Sequence, residues 1–229
     1  MTTTTAQFTD RLRAQAQPIW TKQLQHPFVQ ALGDGTLPRE TFEFYIRQDA
    51  RFLDQMAKVF GYALTRADDR DEMQHWGERA LHTLAVEKGL HHKFATRFGV
   101  SVEEMTATPM APTNYAYTRH LLHIAATGSL PAILTAVLPC AWIYAEVGRH
   151  FTALTGGTVA ADHPYADWLG TYASDEFEQV GAWLRAQLNS RARELPEREL
   201  RNLEEIFLIS SRYEYMFWDM AWRRETWVV

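Results

Sequence analysis

The stretch PRETFEFYIRQDARFLDQMAKVFGYALTRA, residues 38–67, decides the fold class. Its apolar residues recur every three or four positions, which is the period of an α-helix with one buried side. Pro38 suits the first position of that helix, where an amide hydrogen is not needed. The apolar stripe consists of Phe42, Tyr45, Ile46, Phe52, Leu53, Met56, Val59 and Phe60. We expect one long amphipathic helix that depends on packing for its stability.

The same period continues along most of the chain, and turn-forming residues fall between the periodic segments. His26-Pro27 ends the first segment because the residue before a proline is pushed out of the helical region. Helices are expected at about residues 8–24, 38–67 and 71–98, the last with a break or bend near Gly89. A further helix follows the loop that ends at Pro112-Thr113, and another follows Pro131 and ends near Gly156. The last two are expected after Pro164, to about residue 188, and at 196–227. This pattern predicts an all-α fold of seven or eight helices in a single domain, residues 8–229, after a frayed segment at 1–7.

The composition excludes several classes of protein. Lys and Arg number 23 against 28 Asp and Glu, and no basic run indicates a nucleic-acid partner. One cysteine in 229 residues excludes an intrachain disulfide and suits a reducing compartment. Neither a signal-like start nor an apolar run of about 18 residues indicates a membrane partner. We expect a soluble cytoplasmic protein, and its eight Trp, nine Tyr and twelve Phe favour a homo-oligomer.

That cysteine, Cys140, lies in the run Leu138-Pro139-Cys140-Ala141-Trp142-Ile143-Tyr144. Pro139 is expected to kink a helix or to start one, and free N–H groups at a helix start would stabilise a thiolate. Tyr144 lies one turn after Cys140 on the same face. The alternative is that Cys140 is an inert small apolar residue in a core helix.

Two acids stand where the helical pattern calls for apolar residues. Asp49 lies between Ile46 and Phe52 on its stripe, and Glu214 lies three residues before Phe217. A buried carboxylate needs a partner, either an arginine or helix end of the protein or a ligand that offers N–H donors. Arg212 is a poor partner for Glu214 because residues two apart on a helix do not face each other. Apolar surroundings would raise the pKa of a carboxyl group at this position, as a general acid requires.

Other polar residues carry weaker signals. Tyr117 and Tyr172 lie at helical spacing from apolar neighbours, where a core tyrosine is the ordinary interpretation. Glu87 and His91 are four residues apart, a spacing that can hold a metal on one helix face, but no second set of ligands accompanies them. His120 and His123 also share a face, without a carboxylate on that helix. We therefore expect neither a metal nor a haem cofactor.

Three segments together resemble one known family. They are Gln48-Asp49-Ala50-Arg51-Phe52-Leu53, the run from Leu138 to Gly148, and Ser210-Ser211-Arg212-Tyr213-Glu214-Tyr215-Met216-Phe217-Trp218. In order and spacing they resemble the TenA family, also called thiaminase II or aminopyrimidine aminohydrolase, and the likeness runs from Phe8 to Trp222. The resemblance implies a haem-oxygenase-like helical bundle without haem, usually a homotetramer, that acts in thiamine salvage.

The resemblance also implies a role for each candidate residue. Cys140 would add as a thiolate to the ring of 4-amino-5-aminomethyl-2-methylpyrimidine, and Glu214 would protonate a ring nitrogen. Asp49 would accept hydrogen bonds from the aminopyrimidine edge, and Phe52 would stack on the ring. The pocket tyrosines would be Tyr117, with Tyr115 as a competitor, Tyr144 and Tyr172.

Rival functions and the substrate range stay open at this point. One rival is a metal-dependent oxidase that uses Glu87 and His91 on the same scaffold. The other is a regulator that binds a pyrimidine or thiamine without catalysis. Because the chain keeps its cysteine, it resembles the branch of the family that uses one. Ala141 and Ala145 are smaller than the residues expected there in some relatives, which leaves open whether intact thiamine is cleaved.

Overall fold

The computed structural model describes residues 7–229 apart from 100, 102, 105, 106, 155, 158 and 161, and it describes side chains in that range except those at 86–92, 95 and 98. In this part of the chain every regular element is helical, as predicted. The helices are α1 Phe8–Leu24, α2 Pro27–Asp34, α3 Arg39–Leu64, α4 Arg70–Phe98, α5 Pro112–Thr127, α6 Leu130–Leu154, α7 Ala166–Ala173, α8 Asp175–Ala192 and α9 Glu197–Arg223.

The break between α1 and α2 lies where proline chemistry predicts it. Pro27 is the first residue of α2, and His26 is its N-cap, with Nδ1 accepting a hydrogen bond of 3.1 Å from the Phe28 N–H. The cap satisfies one of the amides that a helix start leaves without a partner. Gly35 ends α2 with a φ of 81°, a left-handed conformation that glycine adopts at little cost.

Three predicted boundaries are wrong. Residues 164–188 form two helices, because the Ser174 hydroxyl accepts from the Phe177 N–H at 3.2 Å and caps a new helix start. The last helix ends at Arg223, and Arg224 has a φ of 49°, outside the helical region. The break predicted near position 89 is also absent, since α4 is uninterrupted there, and the bend that was its alternative stays a prediction.

Helix α6 excludes one of the two alternatives predicted for Pro139, a helix start, while the other, a kink, stays a prediction. The proline lies inside a continuous helix, so no helix starts beside Cys140 and no free first-turn amides point at its sulfur. Packing explains why the helix tolerates it, since Leu134, Leu138 and Ile143 are 0% exposed. By length and composition α6 could cross a membrane, but 83% of its apolar window is buried within the protein, as in a core helix.

The described chain forms two compact units, and the prediction of a single domain stays a prediction. Unit 2 comprises Leu37–Ile133 and Asp219–Val229. In it α3 and α4 are antiparallel, since Phe42 contacts Phe94 at 5.1 Å between ring centroids and Phe60 contacts Trp76 at 5.7 Å.

Unit 1 comprises Met1–Thr36 and Leu134–Trp218. Helices α1 and α9 run in the same direction in it, since contacts advance together along both. Arg11, near the start of α1, forms an ion pair of 2.7 Å with Glu197, the first residue of α9. Further along both helices, the Trp20 ring stacks on the Phe207 ring with 6.2 Å between the ring centroids. Burial of Trp20, which is 1% exposed, anchors α1 in this unit.

Candidate active site

The predicted site residues fall into two groups, one in each unit. Asp49 and Phe52 on α3 and Tyr117 on α5 belong to unit 2. Cys140 and Tyr144 on α6, Tyr172 on α7 and Glu214 on α9 belong to unit 1.

The group in unit 2 places an acid beside an aromatic pair. Asp49 is 5% exposed, which confirms that this carboxylate lies on the buried side of α3. One turn further along α3, the Phe52 ring centroid lies 5.1 Å from that of Tyr117, with the planes tilted by 37°. Such a pair offers flat apolar surfaces next to a hydrogen-bond acceptor, which suits a planar heterocycle that carries N–H groups.

Tyr117, rather than Tyr115, lies beside Phe52. The Tyr115 side chain is exposed, its ring centroid lies 6.2 Å from that of Trp227, and the Arg119 guanidinium lies 5.1 Å from it. Tyr117 itself is fully buried. The two tyrosines therefore occupy different environments although they are two residues apart.

His120 is the neighbour of Tyr117 on α5 with a perturbed pKa. Its ring centroid lies 6.4 Å from the Tyr117 ring. Burial, and to a smaller extent the nearby His123, lower the pKa of His120 from 6.5 to about 4. The imidazole is therefore neutral at pH 7, and it adds no positive charge beside this aromatic pair.

The group in unit 1 surrounds Tyr144 with aromatic rings. Cys140 is not part of a disulfide and is of intermediate exposure, and Tyr144 follows it by one turn on the same face of α6. The Tyr144 ring centroid lies 4.9 Å from that of Tyr172 and 4.7 Å from that of Trp218. Cys140 is thus partly exposed, while the turn that follows it is fixed by ring packing.

Close backbone packing positions Tyr172. A Cβ atom on Gly148, one turn after Tyr144, would lie 2.9 Å from the Tyr172 carbonyl oxygen and 2.6 Å from the Ala173 nitrogen. Only glycine allows α6 and α7 to approach so closely. This contact brings the end of α7, and with it the Tyr172 ring, against Tyr144.

Glu214 lies on a buried face of α9 that is held by α1. The glutamate is 2% exposed, and Ser211 and Trp218 lie one turn before and after it on that face. Gln23 of α1, which is 0% exposed, accepts from the Trp218 indole N–H at 2.9 Å and donates to the Ser211 carbonyl at 3.2 Å. Trp20 donates to the Ser211 hydroxyl at 3.3 Å. These bonds fix the rotation and depth of α9 around Glu214.

The predicted alternatives are resolved in part. Arg212 is exposed while Glu214 is buried, so the two side chains lie on different faces of α9. The side chains of Glu87 and His91 lie outside the described residues, so the rival interpretation of this pair as metal ligands is not tested. Among the side chains that are described, no three of the types His, Cys, Asp and Glu come close enough to hold a metal ion.

Sequence reasoning missed Gln23, Trp218 and Gly148 as parts of this region. Trp218 had a usable signal, since it follows Glu214 by four residues on one helix face. Gly148 had only a weak one, a glycine inside an apolar helix. Gln23 had none, because its partner Trp218 is 195 residues away in the sequence.

Comparison with known proteins gives a consistent result. The sequence profile of the TENA/THI-4/PQQC family matches residues 13–224. The aminopyrimidine aminohydrolase of Halalkalibacterium halodurans is 41% identical over 221 residues, which cover 96% of this chain and 97% of that protein. The solved structure of a TenA homologue from P. horikoshii OT3 superposes with a TM-score of 0.86 at 31% identity, covering 95% and 99% of the two chains.

A more distant structure confirms the fold alone. A domain of unknown function from Shewanella denitrificans OS217, described as having a heme oxygenase-like fold, superposes with a TM-score of 0.72 at 14% identity, covering 94% of this chain and 92% of that one. The predicted haem-oxygenase-like helical architecture is therefore confirmed.

Proposed function

The chain belongs to the TENA/THI-4/PQQC family, and we propose that it is an aminopyrimidine aminohydrolase, a hydrolase of the thiaminase II type. The substrate is 4-amino-5-aminomethyl-2-methylpyrimidine, and the products are the hydroxymethyl pyrimidine and ammonia. The observation that carries the proposal is the near full-length similarity to a protein of that name. The buried acids and the partly exposed thiol on the matched segments agree with it.

Cys140 is the nucleophile of the proposed reaction. Its thiolate forms a bond to a carbon of the pyrimidine ring, and a ring nitrogen takes up a proton as aromaticity is lost. The electron pair then returns to expel the aminomethyl nitrogen, which leaves as ammonia after protonation. Water adds in its place, and loss of the thiolate restores the aromatic ring, so that one water is consumed for each ammonia released.

Glu214 is the proton shuttle. A carboxyl group that is 2% exposed exchanges protons with the substrate rather than with bulk water. The bonds that Gln23 makes to Ser211 and Trp218 hold its helix at a fixed rotation. Protonation of the ring nitrogen by Glu214 makes the ring carbon more electrophilic, and the same carboxylate then accepts a proton from the attacking water.

The remaining residues bind the substrate. Asp49 accepts hydrogen bonds from the aminopyrimidine N–H groups, and Phe52 stacks on the ring. The tyrosines that contact the substrate are Tyr117, Tyr144 and Tyr172. Whether the pocket also takes intact thiamine depends on the room beside the buried Ala141 and Ala145.

The protein acts as a soluble cytoplasmic enzyme and a homotetramer. The burial of the apolar helix α6 supports solubility. Met73, Leu81 and Leu84 on α4 are 46%, 70% and 40% exposed, and apolar side chains left at the surface support self-association. Light scattering of the purified protein measures the assembly, and a monomeric mass would contradict the tetramer.

Replacement of the single thiol tests the proposal. The purified protein should release ammonia from the aminopyrimidine, and the hydroxymethyl product should be found by mass. Cys140→Ser should lower kcat by roughly a thousandfold, because a hydroxyl is a far weaker nucleophile. Its circular dichroism and thermal unfolding should match those of the wild type.

Three other outcomes separate the rivals. Full turnover by Cys140→Ser would exclude thiol catalysis. Stoichiometric iron together with loss of activity on chelation would support the oxidase. Tight binding of the pyrimidine without product would support a regulator. Parallel incubation with thiamine, scored by product mass, decides the substrate range.

A further inference from the structure

Gln48, the residue before Asp49, is 1% exposed, and both its amide nitrogen and its amide oxygen form hydrogen bonds to one neighbouring segment. Its Nε2 donates to the Pro109 carbonyl at 3.0 Å, and its Oε1 accepts from the Ala111 N–H at 2.9 Å. Asn114 Nδ2 donates to Gln48 Oε1 at 3.0 Å and to the Gln48 carbonyl at 2.8 Å. We call this set of four bonds the Gln48–Asn114 clamp. It joins α3 to the start of α5.

The clamp specifies geometry more than it adds stability. Both side chains are buried amides, since Asn114 is 0% exposed. A buried amide gains little net free energy from its hydrogen bonds, but it is costly when they are misaligned. An apolar side chain at position 48 could fill the same space on α3 without needing aligned hydrogen bonds. The clamp therefore allows one arrangement of α3 against α5 and penalises the others.

The proposed pyrimidine-binding residues of unit 2 lie within one turn of the clamp. Phe52 follows Gln48 by four residues, and Tyr117 follows Asn114 by three. The Phe52 and Tyr117 rings, 5.1 Å apart, therefore form the next contact between α3 and α5 after the clamp. Asp49 lies on α3 between these two contacts. Because one turn of an α-helix is rigid, the clamp fixes Asp49 and Phe52 relative to Tyr117.

We propose that Gln48, held by Asn114, is a positioning residue for substrate binding. It sets the Asp49 carboxylate and the Phe52 ring at the spacing from Tyr117 that an aminopyrimidine needs for simultaneous hydrogen bonding and stacking. The inference rests on the proposed function. Because these contacts exist in the bound ground state and in the transition state alike, the loss of the clamp raises KM and leaves kcat nearly unchanged.

Gln48→Met tests this role against Gln55→Met as a matched control. Gln55 is also a buried glutamine of α3 whose Oε1 bonds to α5, accepting from Arg119 Nη2 at 3.1 Å, but it lies two turns after Gln48. We expect Gln48→Met to raise KM about tenfold with kcat within about twofold of the wild type. Gln55→Met should change neither by more than about twofold. Equal effects of the two substitutions would overturn the proposal.

The effect of Gln48 should also depend on Asp49. In an Asp49→Asn background, Gln48→Met should lower kcat/KM by only about threefold rather than tenfold, since the Asp49 carboxylate is gone and only the Phe52 ring is left for Gln48 to position. A residue that only stabilises the fold would cause the same tenfold loss in both backgrounds. That outcome would overturn the positioning role.

The remaining outcomes are also decisive. If Gln48→Met does not fold, Asn114→Ala, which removes two of the four bonds, should raise KM about threefold. An unchanged KM in that variant would overturn the proposal. A wild-type protein that releases no ammonia contradicts the proposed function and this inference together. An active wild type with an unchanged KM in Gln48→Met contradicts this inference alone.

Discussion

Gly148 and Tyr172 touch through the backbone, since a Cβ atom on Gly148 would lie 2.5 Å from the Tyr172 carbonyl carbon. Neither backbone can move away without separating α6 from α7. Gly148→Ala should therefore lower the free energy of unfolding by about 2 kcal/mol or more. It should also lower activity, because Tyr172 would shift away from Tyr144. Urea denaturation measures the first effect and an ammonia assay the second.

Gly61→Ala is the matched control for that substitution. Gly61 lies inside α3, and no atom lies within 4 Å of the place its Cβ would take. Alanine should stabilise this helix by about 0.5–1 kcal/mol, because glycine loses more backbone entropy on folding. A loss of stability at Gly148 no larger than the effect at Gly61 would contradict the close approach.

Gln23 should be costly to replace although it is uncharged. Gln23→Leu would leave the Trp218 indole N–H buried without the acceptor that it now has at 2.9 Å. We expect a loss of about 2 kcal/mol in unfolding free energy. Gln25→Leu, an exposed position two residues later, should change stability by less than about 0.5 kcal/mol. Chemical denaturation of both variants measures the difference, and equal values would show that the buried bond contributes nothing.

His120 should make the folded state sensitive to mild acid. Its folded-state pKa of about 4 lies below the 6.5 of an unperturbed histidine, so the unfolded chain takes up the proton first. The contribution of neutral His120 to the free energy of unfolding is fully present above about pH 6.5 and is lost as the pH falls towards 4. Allowing for its partial exposure, the loss amounts to about 2 kcal/mol.

His120→Gln isolates that contribution because glutamine does not titrate. The difference in unfolding free energy between the wild type and this variant should change by about 2 kcal/mol between pH 7 and pH 4. Thermal or urea denaturation across this range gives the two curves. Parallel curves would exclude His120 as the source of the pH dependence.

Glu225 should act as a helix cap supplied from the tail of the chain. Ala111 at the start of α5 provides no side-chain cap, and Glu225 Oε2 accepts from the Thr113 N–H at 2.9 Å. Glu225→Ala should cost about 1 kcal/mol, and Glu225→Gln about half of that, since the amide keeps an acceptor without the charge. Glu205→Ala, at an exposed position of α9, is the control. Urea denaturation of the three variants decides whether the tail caps α5.

The sequence predicts helices well where local chemistry determines their ends. His26-Pro27 correctly predicts the end of α1, but the short helix α2 that begins at Pro27 is not among the expected helices, and Pro112, the first residue of α5, falls within the loop expected before it. The start of α8 had the same kind of signal, a serine followed by acids, but the apolar period on both sides concealed Ser174. For Pro139 the alternative of a helix start is wrong, because tertiary burial of α6 outweighs the loss of one backbone bond.

The candidate site is predictable only for residues that stand out within the pattern of a single helix. Asp49 and Glu214 interrupt apolar stripes, so one helix at a time is enough to find them. Gln23 and Gln48 are ordinary polar residues until the fold supplies Trp218 and Asn114 as partners. Contacts between helices that are distant in sequence leave no periodic pattern, and only the structure identifies these residues.

Unit 1 pairs helices that are far apart in the sequence, and this affects the order in which the protein can assemble during its synthesis. Helices α3, α4 and α5 of unit 2 follow one another, so they can pair as soon as each has left the ribosome. Helix α1 is synthesised before them, but its contacts on α9 are available only after α9 has been made. Until then the apolar face of α1 that carries Trp20 is exposed to aggregation and to chaperones.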